Sequence, residues 1–179
     1  NEAISVEAWI TPAQAAFQAE RRIVIFDAVG IGDNFMLVQG GPFTIGPRAH
    51  FKFRLRTQST LESPDTNDGF PELQAFDMAD VELTHLVATY EDGVGDAIYV
   101  DGVAVATGPR SGSLAWYEGT RLTLGDDDGG NRAWSGTYHY VALYCRALSP
   151  DEVSTRFAVG VPSPACLRCF NAFCVRDCG

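Results

Sequence analysis

The chain has 179 residues, which is enough for one domain with a sizeable core, and its formal net charge at pH 7 is -10. Between Thr57 and Pro109 it carries acidic residues but no Lys or Arg, so we expect its surface to repel nucleic-acid phosphates and anionic membranes. No apolar run approaches the roughly 18 residues of a membrane-spanning helix, and we expect no membrane insertion.

Short segments with alternating apolar and polar residues succeed one another along the chain, separated by clusters of Gly, Pro, Asn and Asp. In residues 50–57, Phe51 and Phe53 point to one face, while Lys52 and Arg54 point to the other. This pattern predicts an all-β fold, an antiparallel two-sheet jelly-roll sandwich. The predicted strands lie at 3–11, 21–29, 34–39, 50–57, 72–78, 84–92, within the hairpin 97–106, at 121–126 and at 138–146.

The clearest local signal is the hairpin at 97–106. The Asp-Gly pair at its centre favours a two-residue primed turn, because both turn residues tolerate positive φ. That turn pairs Val100 with Val103 and Ile98 with Val105. The four aliphatic side chains are therefore predicted to share one buried face.

One helix is predicted, followed by a short tail. Ser149 is the N-cap, a proline follows at the first helical position, and Glu152 completes a capping box. Gly160 is suited to end the helix. We therefore predict a jelly-roll domain over residues 1–161, one short C-terminal helix within it, and a Cys-rich tail over residues 162–179.

The five cysteines are unevenly distributed, with Cys145 in the last predicted strand and Cys166, Cys169, Cys174 and Cys178 in the tail. A cluster this dense is either a disulfide-bonded segment or a zinc site. The tail has no His, and its spacings are not those of a common zinc module. Disulfides are favoured, with Cys145 either paired to the tail or buried and reduced, and the connectivity is left open.

Three stretches of the chain resemble a known family: "ISVEAWITP", "THLVATYEDGVGDAIYVDGVAVATG" and "RLTLGDDDGGNRAWSGTYHYVALYCRALSPDEV". Their order is similar to that of a laminin-G-like/pentraxin-like domain of the concanavalin A-like lectin/glucanase superfamily. The resemblance covers roughly residues 3 to 160. It implies a two-sheet antiparallel jelly roll, in agreement with the strand pattern.

The resemblance also implies a calcium site. Pentraxins hold Ca²⁺ between an Asp-Asn pair before one strand and an acidic loop after an "LG" strand. The matching residues are Asp33 and Asn34 in the first position and Asp126, Asp127 and Asp128 in the second. Ca²⁺ takes six to eight oxygen ligands, which carboxylates and amides supply. The alternative is that both segments are solvated turns.

Some members of the superfamily are glycoside hydrolases, which need two suitably spaced carboxylates at the scissile bond. No predicted strand carries such a pair on one face. The nearest residues, Asp80 and Glu82, lie in an acidic connection. The sequence also contains neither a nucleophile elbow nor a zinc-protease motif. We therefore expect a module without catalytic activity.

Two kinds of binding function are consistent with the sequence. The first is a secreted or cell-surface lectin-like module that recognises carbohydrate or a phosphorylated head group, with or without Ca²⁺. Trp116 and Tyr117 are the candidate ligand-binding residues because they lie in a loop, whereas Trp9 and Trp134 are predicted to be core residues. The alternative is a protein-protein adhesion or structural spacer module of a bacterial cell-surface protein, since this scaffold hosts many partners.

Overall fold

The computed structural model describes residues 2–16, 19–28, 32–40, 48–60, 69–116, 119–127, 130–162, 167–170 and 173–176. Its strands and helix follow in chain order: β1 (Ala3–Pro12), β2 (Arg21–Ala28), β3 (Gly32–Gly40), β4 (His50–Leu55), β5 (Leu73–Ala75), β6 (Thr84–Glu91), β7 (Gly95–Val100), β8 (Val103–Gly108), β9 (Arg121–Leu124), β10 (Gly136–Tyr144), α1 (Pro150–Val159), β11 (Leu167–Phe170) and β12 (Phe173–Arg176). Among the described residues, no helix has the length and apolar character needed to cross a membrane.

The strands up to β10 form two antiparallel five-stranded sheets. Sheet A has the order β10-β1-β6-β7-β8, and sheet B has the order β5-β4-β3-β2-β9. The remaining two strands, β11 and β12, pair only with each other among the described strands. The predicted all-β, antiparallel two-sheet jelly-roll sandwich is therefore confirmed.

The main core lies between the two sheets. Val6 and Ile10 of β1 and Phe51 and Phe53 of β4 are fully buried there, as the alternation of these strands predicts. Burying a side chain of this size contributes roughly 1.5–3 kcal/mol. The side chains of β4 that point away from this core, Lys52 among them, are also almost fully buried, which the alternation alone does not indicate.

Helix α1 covers part of the outer face of sheet A. Ser149 Oγ accepts a hydrogen bond from Glu152 N at 3.2 Å, and Glu152 Oε2 accepts one from Ser149 N at 2.9 Å, so the predicted capping box is confirmed. Gly160 follows the helix with a φ of 83°. Val153 of the helix is buried in one cluster with Tyr99 of β7. Both faces of sheet A are therefore covered over this part of its surface.

The hairpin between β7 and β8 departs from the predicted register after two residue pairs. Val100 pairs with Val103 as predicted. Val105 is the extra residue of a β-bulge, so Ile98 pairs with Ala106 rather than with Val105. Val103 is 64% exposed because β8 is an edge strand of sheet A, and its predicted burial is wrong.

The strand predicted at 72–78 is shorter than expected, since β5 covers only Leu73–Ala75. Asp77 has a positive φ of 57°, which is incompatible with continued strand geometry. Its backbone N donates to Nδ1 of the buried His50 at 2.8 Å. The chain therefore turns where the sequence pattern still alternates.

Candidate ligand-binding site

Trp116 lies at one end of the sandwich, in the connection between β8 and β9. Its side chain is 39% exposed, although the ring is packed on two core residues. It meets Phe26 and Phe35 edge-on, with ring centroids 5.5 and 6.2 Å apart and an interplanar angle of 80° in both cases. Edge-to-face contacts of this kind are favourable and directional. The indole is therefore held in a fixed orientation while part of it stays open to solvent.

A cavity of about 340 Å³ opens beside Trp116, between the two sheets. Its described lining residues are mostly apolar, and none of them is charged. Such a cavity suits the apolar face of a ligand or partner. The lining residues are Ala3, Ile4, Phe26, Phe35, Trp116, Leu143, Tyr144 and Cys145.

Polar side chains gather at the same end of sheet B. In the sheet register, Asp27 of β2 lies opposite Asp33 of β3 and opposite Arg121 of β9. Arg56, just after β4, donates from its backbone N to Asn34 O at 2.8 Å and from Nε to Asp33 O at 3.3 Å. Asp27 and Asn34 are buried, Asp33 is half-buried, and Arg121 is exposed. Asp33 and Arg121 are thus the two charged residues of this group that are accessible to solvent.

These polar residues and Trp116 belong to one region. Phe26 and Phe35, which hold the indole, are the neighbours in sequence of Asp27 and Asn34. Ala115 N also donates to the carbonyl oxygen of Arg56 at 3.3 Å, which ties the Trp116 loop to the end of β4. We call the five residues Asp27, Asp33, Asn34, Arg121 and Trp116 the Trp116 end.

The acidic loop after β9 lies elsewhere. Gly125 N donates to Ile23 O at 3.1 Å, so the loop begins beside the start of β2. Asp126 Oδ1 accepts hydrogen bonds from Asp127 N at 2.8 Å and from Arg132 N at 3.2 Å. Asp127 Oδ2 lies 3.7 Å from Nε of Arg132. The carboxylate of Asp126 therefore holds the turn of its own loop, and that of Asp127 faces a cation.

The register separates the two halves of the predicted calcium site. Asp33 is level with Asp27, whereas the acidic loop is level with Ile23, four residues away along β2. Four residues of strand span roughly 13 Å, but oxygen ligands lie only about 2.3–2.6 Å from a calcium ion. One ion cannot bind both Asp33 and Asp126 in this register.

A calcium ion at either loop alone would need further ligands from nearby. Among the residues that the structure describes, no group of three or more His, Cys, Asp or Glu side chains is arranged to hold a metal ion. Of the predicted ligands, Asp128 lies outside the described residues, as does Tyr117 of the predicted ligand-binding pair. The described donors do not fit the two-loop calcium site, and nothing below depends on it.

The outer face of sheet B carries a cluster of ion pairs that the sequence analysis did not predict. Lys52 Nζ lies 2.9 Å from both Glu20 Oε1 and Glu72 Oε1, and Arg54 pairs with the same two carboxylates at 2.8 and 2.7 Å. Burial opposes the charged form of Glu20, but its contacts with Lys52 and Arg54 outweigh this and lower its pKa to about 2. A general acid for glycoside hydrolysis needs a raised pKa. Glu20 therefore lacks the property needed for that role.

The other two tryptophans lie where the sequence predicts. Trp9 is 3% exposed and Trp134 is 7% exposed. Trp134 Nε1 donates to the buried Gln39 Oε1 at 2.6 Å. Gly136 is needed beside it, because a Cβ there would lie 2.2 Å from Trp134 Cη2. Trp116 is thus the most exposed of the three tryptophans.

Comparison with known proteins identifies the family. Residues 1–154 match the concanavalin A-like lectin/glucanases superfamily, and the chain belongs to it. The predicted laminin-G-like/pentraxin-like resemblance is thereby confirmed. No curated protein gives a significant match.

Solved structures share the fold at low sequence identity. The native heptameric SAP-like pentraxin from Limulus polyphemus is 16% identical, with a TM-score of 0.62 over 86% of this chain and 69% of that one. A putative carbohydrate binding protein from Bacteroides ovatus is 17% identical, with a TM-score of 0.62 over 87% of this chain and 41% of that one. The CBM40 of the Ruminococcus gnavus IT-sialidase is 15% identical, with a TM-score of 0.60 over 88% and 82%. The chain thus shares its fold with these three proteins.

Proposed function

We propose that this chain is a non-catalytic, extracellular lectin-like module that binds carbohydrate at the Trp116 end. The observation that carries the proposal is an indole that stays 39% exposed while Phe26 and Phe35 hold it edge-on. A ring fixed in this way loses little conformational entropy when a ligand covers it. The flat apolar face of a pyranose is a matching surface.

Hydroxyl recognition is assigned to the polar side of the same end. Asp33 offers a carboxylate that accepts hydrogen bonds from hydroxyl groups, and Arg121 offers a guanidinium that donates them. Asp27 lies between these two residues in the register.

The absence of catalysis is part of the proposal. Part of its support is chemical: Glu20 and Glu72, whose carboxylates lie close together on the outer face of sheet B, are both bound to Lys52 and Arg54. Glu20, whose pKa is lowered to about 2 despite its burial, stays ionised at neutral pH and cannot serve as the general acid. An extracellular location is supported by the Cys-rich tail, which is typical of oxidising compartments.

The test is binding of the purified chain to an array of neutral and charged glycans, followed by titration of any hit. Trp116→Leu removes the ring face but keeps apolar volume, and we expect it to weaken binding at least tenfold. Phe76→Ala is the matched control, since Phe76 is 49% exposed in the segment after β5. Equal affinity of wild type and Trp116→Leu for the same glycan would place the site elsewhere.

A protein-adhesion function has one specific observation in its favour. Four apolar side chains are between 39% and 49% exposed within the segment 76–83. Exposed apolar clusters of this kind often mark protein contacts. On this alternative, Phe76→Ala would weaken partner binding while Trp116→Leu would not. The exposed residues are Phe76, Met78, Val81 and Leu83.

A further inference from the structure

The Cys-rich tail contains an antiparallel pairing that sequence reasoning did not predict. Strands β11 and β12 pair so that Cys169 lies directly opposite Cys174, next to the pair Phe170 and Phe173. We propose that Cys169 and Cys174 form a disulfide across this hairpin. The proposal concerns the tail and does not depend on the ligand-binding function.

The backbone spacing of such a pair suits a disulfide. Directly opposite residues of an antiparallel pair have Cα atoms about 5.5 Å apart when they exchange hydrogen bonds and about 4.5 Å apart when they do not. Disulfides span Cα separations of about 4.4–6.8 Å. Either kind of pair therefore meets the requirement. Directly opposite residues of an antiparallel pair have Cβ atoms about 4.5–5.5 Å apart, which is close to the roughly 3.5–4.5 Å found in disulfides.

The register also distinguishes this pair from other connectivities in the tail. In the described part of the hairpin, Leu167 is opposite Arg176 and Arg168 is opposite Val175, so Cys174 is the cysteine opposite Cys169.

The chemistry is a two-electron oxidation. The two thiols lose two protons and two electrons, and one sulfur–sulfur bond forms. The oxidant is a disulfide of low molecular mass, such as oxidised glutathione, which accepts the electrons and protons and is reduced to two thiols. Exchange proceeds through a mixed disulfide on one of the two cysteines, which the other cysteine then resolves.

The proposal has a consequence for the remaining cysteines. The chain has five, so pairing Cys169 with Cys174 leaves Cys145, Cys166 and Cys178. Three cysteines cannot all pair within one chain, and at least one thiol remains. Cys145 is exposed and is a free cysteine in the structure. We infer that it is the thiol that reacts first with an alkylating reagent.

The test is peptide mapping without reduction. The full chain is oxidised in a glutathione buffer, denatured, alkylated and digested with trypsin. Cleavage after Arg168 and Arg176 releases both cysteines in one peptide, residues 169–176, separately from Cys145, Cys166 and Cys178. We expect this peptide to be unalkylated and lighter than the reduced peptide by two hydrogen atoms. Recovery of the peptide fully alkylated, or linked to another cysteine peptide, would overturn the proposal.

Two variants and a metal measurement complete the test. Cys169→Ser is expected to leave Cys174 open to alkylation, whereas Cys145→Ser, the matched control, should leave the 169–176 disulfide intact. Zinc bound by the tail thiolates would instead appear as one equivalent of metal released by a chelator, with no disulfide in the peptide. That result would also overturn the proposal.

Discussion

Trp9 and Trp116 both pack against aromatic rings, yet Trp9 is buried and Trp116 is partly exposed. Trp9 is 3% exposed, and its ring stacks on His85 at 4.5 Å and on Phe157 of α1 at 6.0 Å. Trp116 is 39% exposed, and no helix covers it among the described residues. The difference lies in α1, which covers the outer face of sheet A and leaves the Trp116 end open.

The helix is held over Trp9 by a buried carboxylate. Glu7 is 1% exposed, and its Oε1 lies 2.9 Å from His85 Nε2. Its Oε2 accepts hydrogen bonds from Tyr144 at 2.5 Å and from Arg156 of α1 at 3.2 Å. Burial raises the pKa of Glu7, but its hydrogen bonds to His85 and Tyr144 and the charge of Arg156 outweigh this and lower it. The polar groups of this region bind one another and hold the helix in place. We therefore assign them a role in the stability of the fold rather than in ligand binding.

The largest expected effect is the difference in stability lost when Trp9 and Trp116 are each replaced by alanine. We expect Trp9→Ala to reduce the free energy of unfolding by about 3–5 kcal/mol, because it leaves a cavity beneath α1. We expect Trp116→Ala to cost clearly less, since the indole is already partly in water. Urea denaturation of the two variants measures both values. Equal losses of stability would contradict the contrast between the buried ring of Trp9 and the partly exposed ring of Trp116.

The next effect concerns the carboxylate beneath the helix. We expect Glu7→Ala to destabilise the fold by about 3 kcal/mol, because it leaves Arg156 and His85 without their buried partner. Glu82→Ala is the control, because Glu82 is an exposed acid outside the strands. If both variants unfold at the same urea concentration, the carboxylate does not anchor the helix.

A smaller effect is expected from pH. The pKa of Glu20 is lowered from 4.5 to about 2, and that of Glu7 is also lowered, so folding favours their ionised forms. The stabilising contribution of Glu20 is complete above about pH 4.5 and is lost as the pH falls toward 2, and that of Glu7 also decreases as the pH falls. The urea midpoint should therefore decrease over that range. Glu20→Gln should make the decrease shallower, and an unchanged slope would show that Glu20 is not ion-paired.

The smallest expected effect is that of calcium. Since Asp33 and Asp126 lie at different ends of β2, we expect the thermal unfolding curves in millimolar CaCl2 and in EDTA to coincide. A stabilisation by calcium that both Asp33→Ala and Asp127→Ala abolish would show that the two loops meet. Loss of stabilisation in Asp127→Ala alone would indicate an ion at the acidic loop.

Local features of this fold could be predicted because their causes lie within a few residues. The capping box at Ser149 and the turn at Asp101-Gly102 depend on neighbouring side chains and backbone preferences. The bulge at Val105 could not be predicted, because it depends on how an edge strand pairs along its whole length.

Long-range polar contacts were not predictable either. Arg110 donates from Nε to Asp96 Oδ2 at 2.7 Å and from Nη1 to Leu55 O at 2.8 Å, which joins the two sheets. Neither partner is distinguished in the sequence from other charged or aliphatic residues. The same holds for Lys52, whose alternation places it away from the core but does not show that Glu20 and Glu72 bury it.

The candidate site was predictable in its parts but not in its assembly. Trp116, Asp33 and Asn34 were identified as loop or strand-edge residues, and the structure brings them to one end of the sandwich. Asp126 was grouped with Asp33 and Asn34 by the family resemblance. Its loop follows β9, which runs antiparallel to β2 and delivers the loop to the opposite end. The direction of each strand determines at which end of the sheet the following loop lies, and amino-acid composition does not reveal that direction.

The most direct test of binding at the Trp116 end is an NMR titration of the chain with a glycan that it binds on the array. The signals to follow are those of the indole N–H groups. The chain has three tryptophans, and Trp116→Phe assigns the relevant resonance. We predict that the Trp116 resonance moves as glycan is added until the binding site is saturated. The resonances of the buried Trp9 and Trp134 should stay in place. A titration in which the glycan binds and the Trp116 resonance does not move would contradict the proposed site.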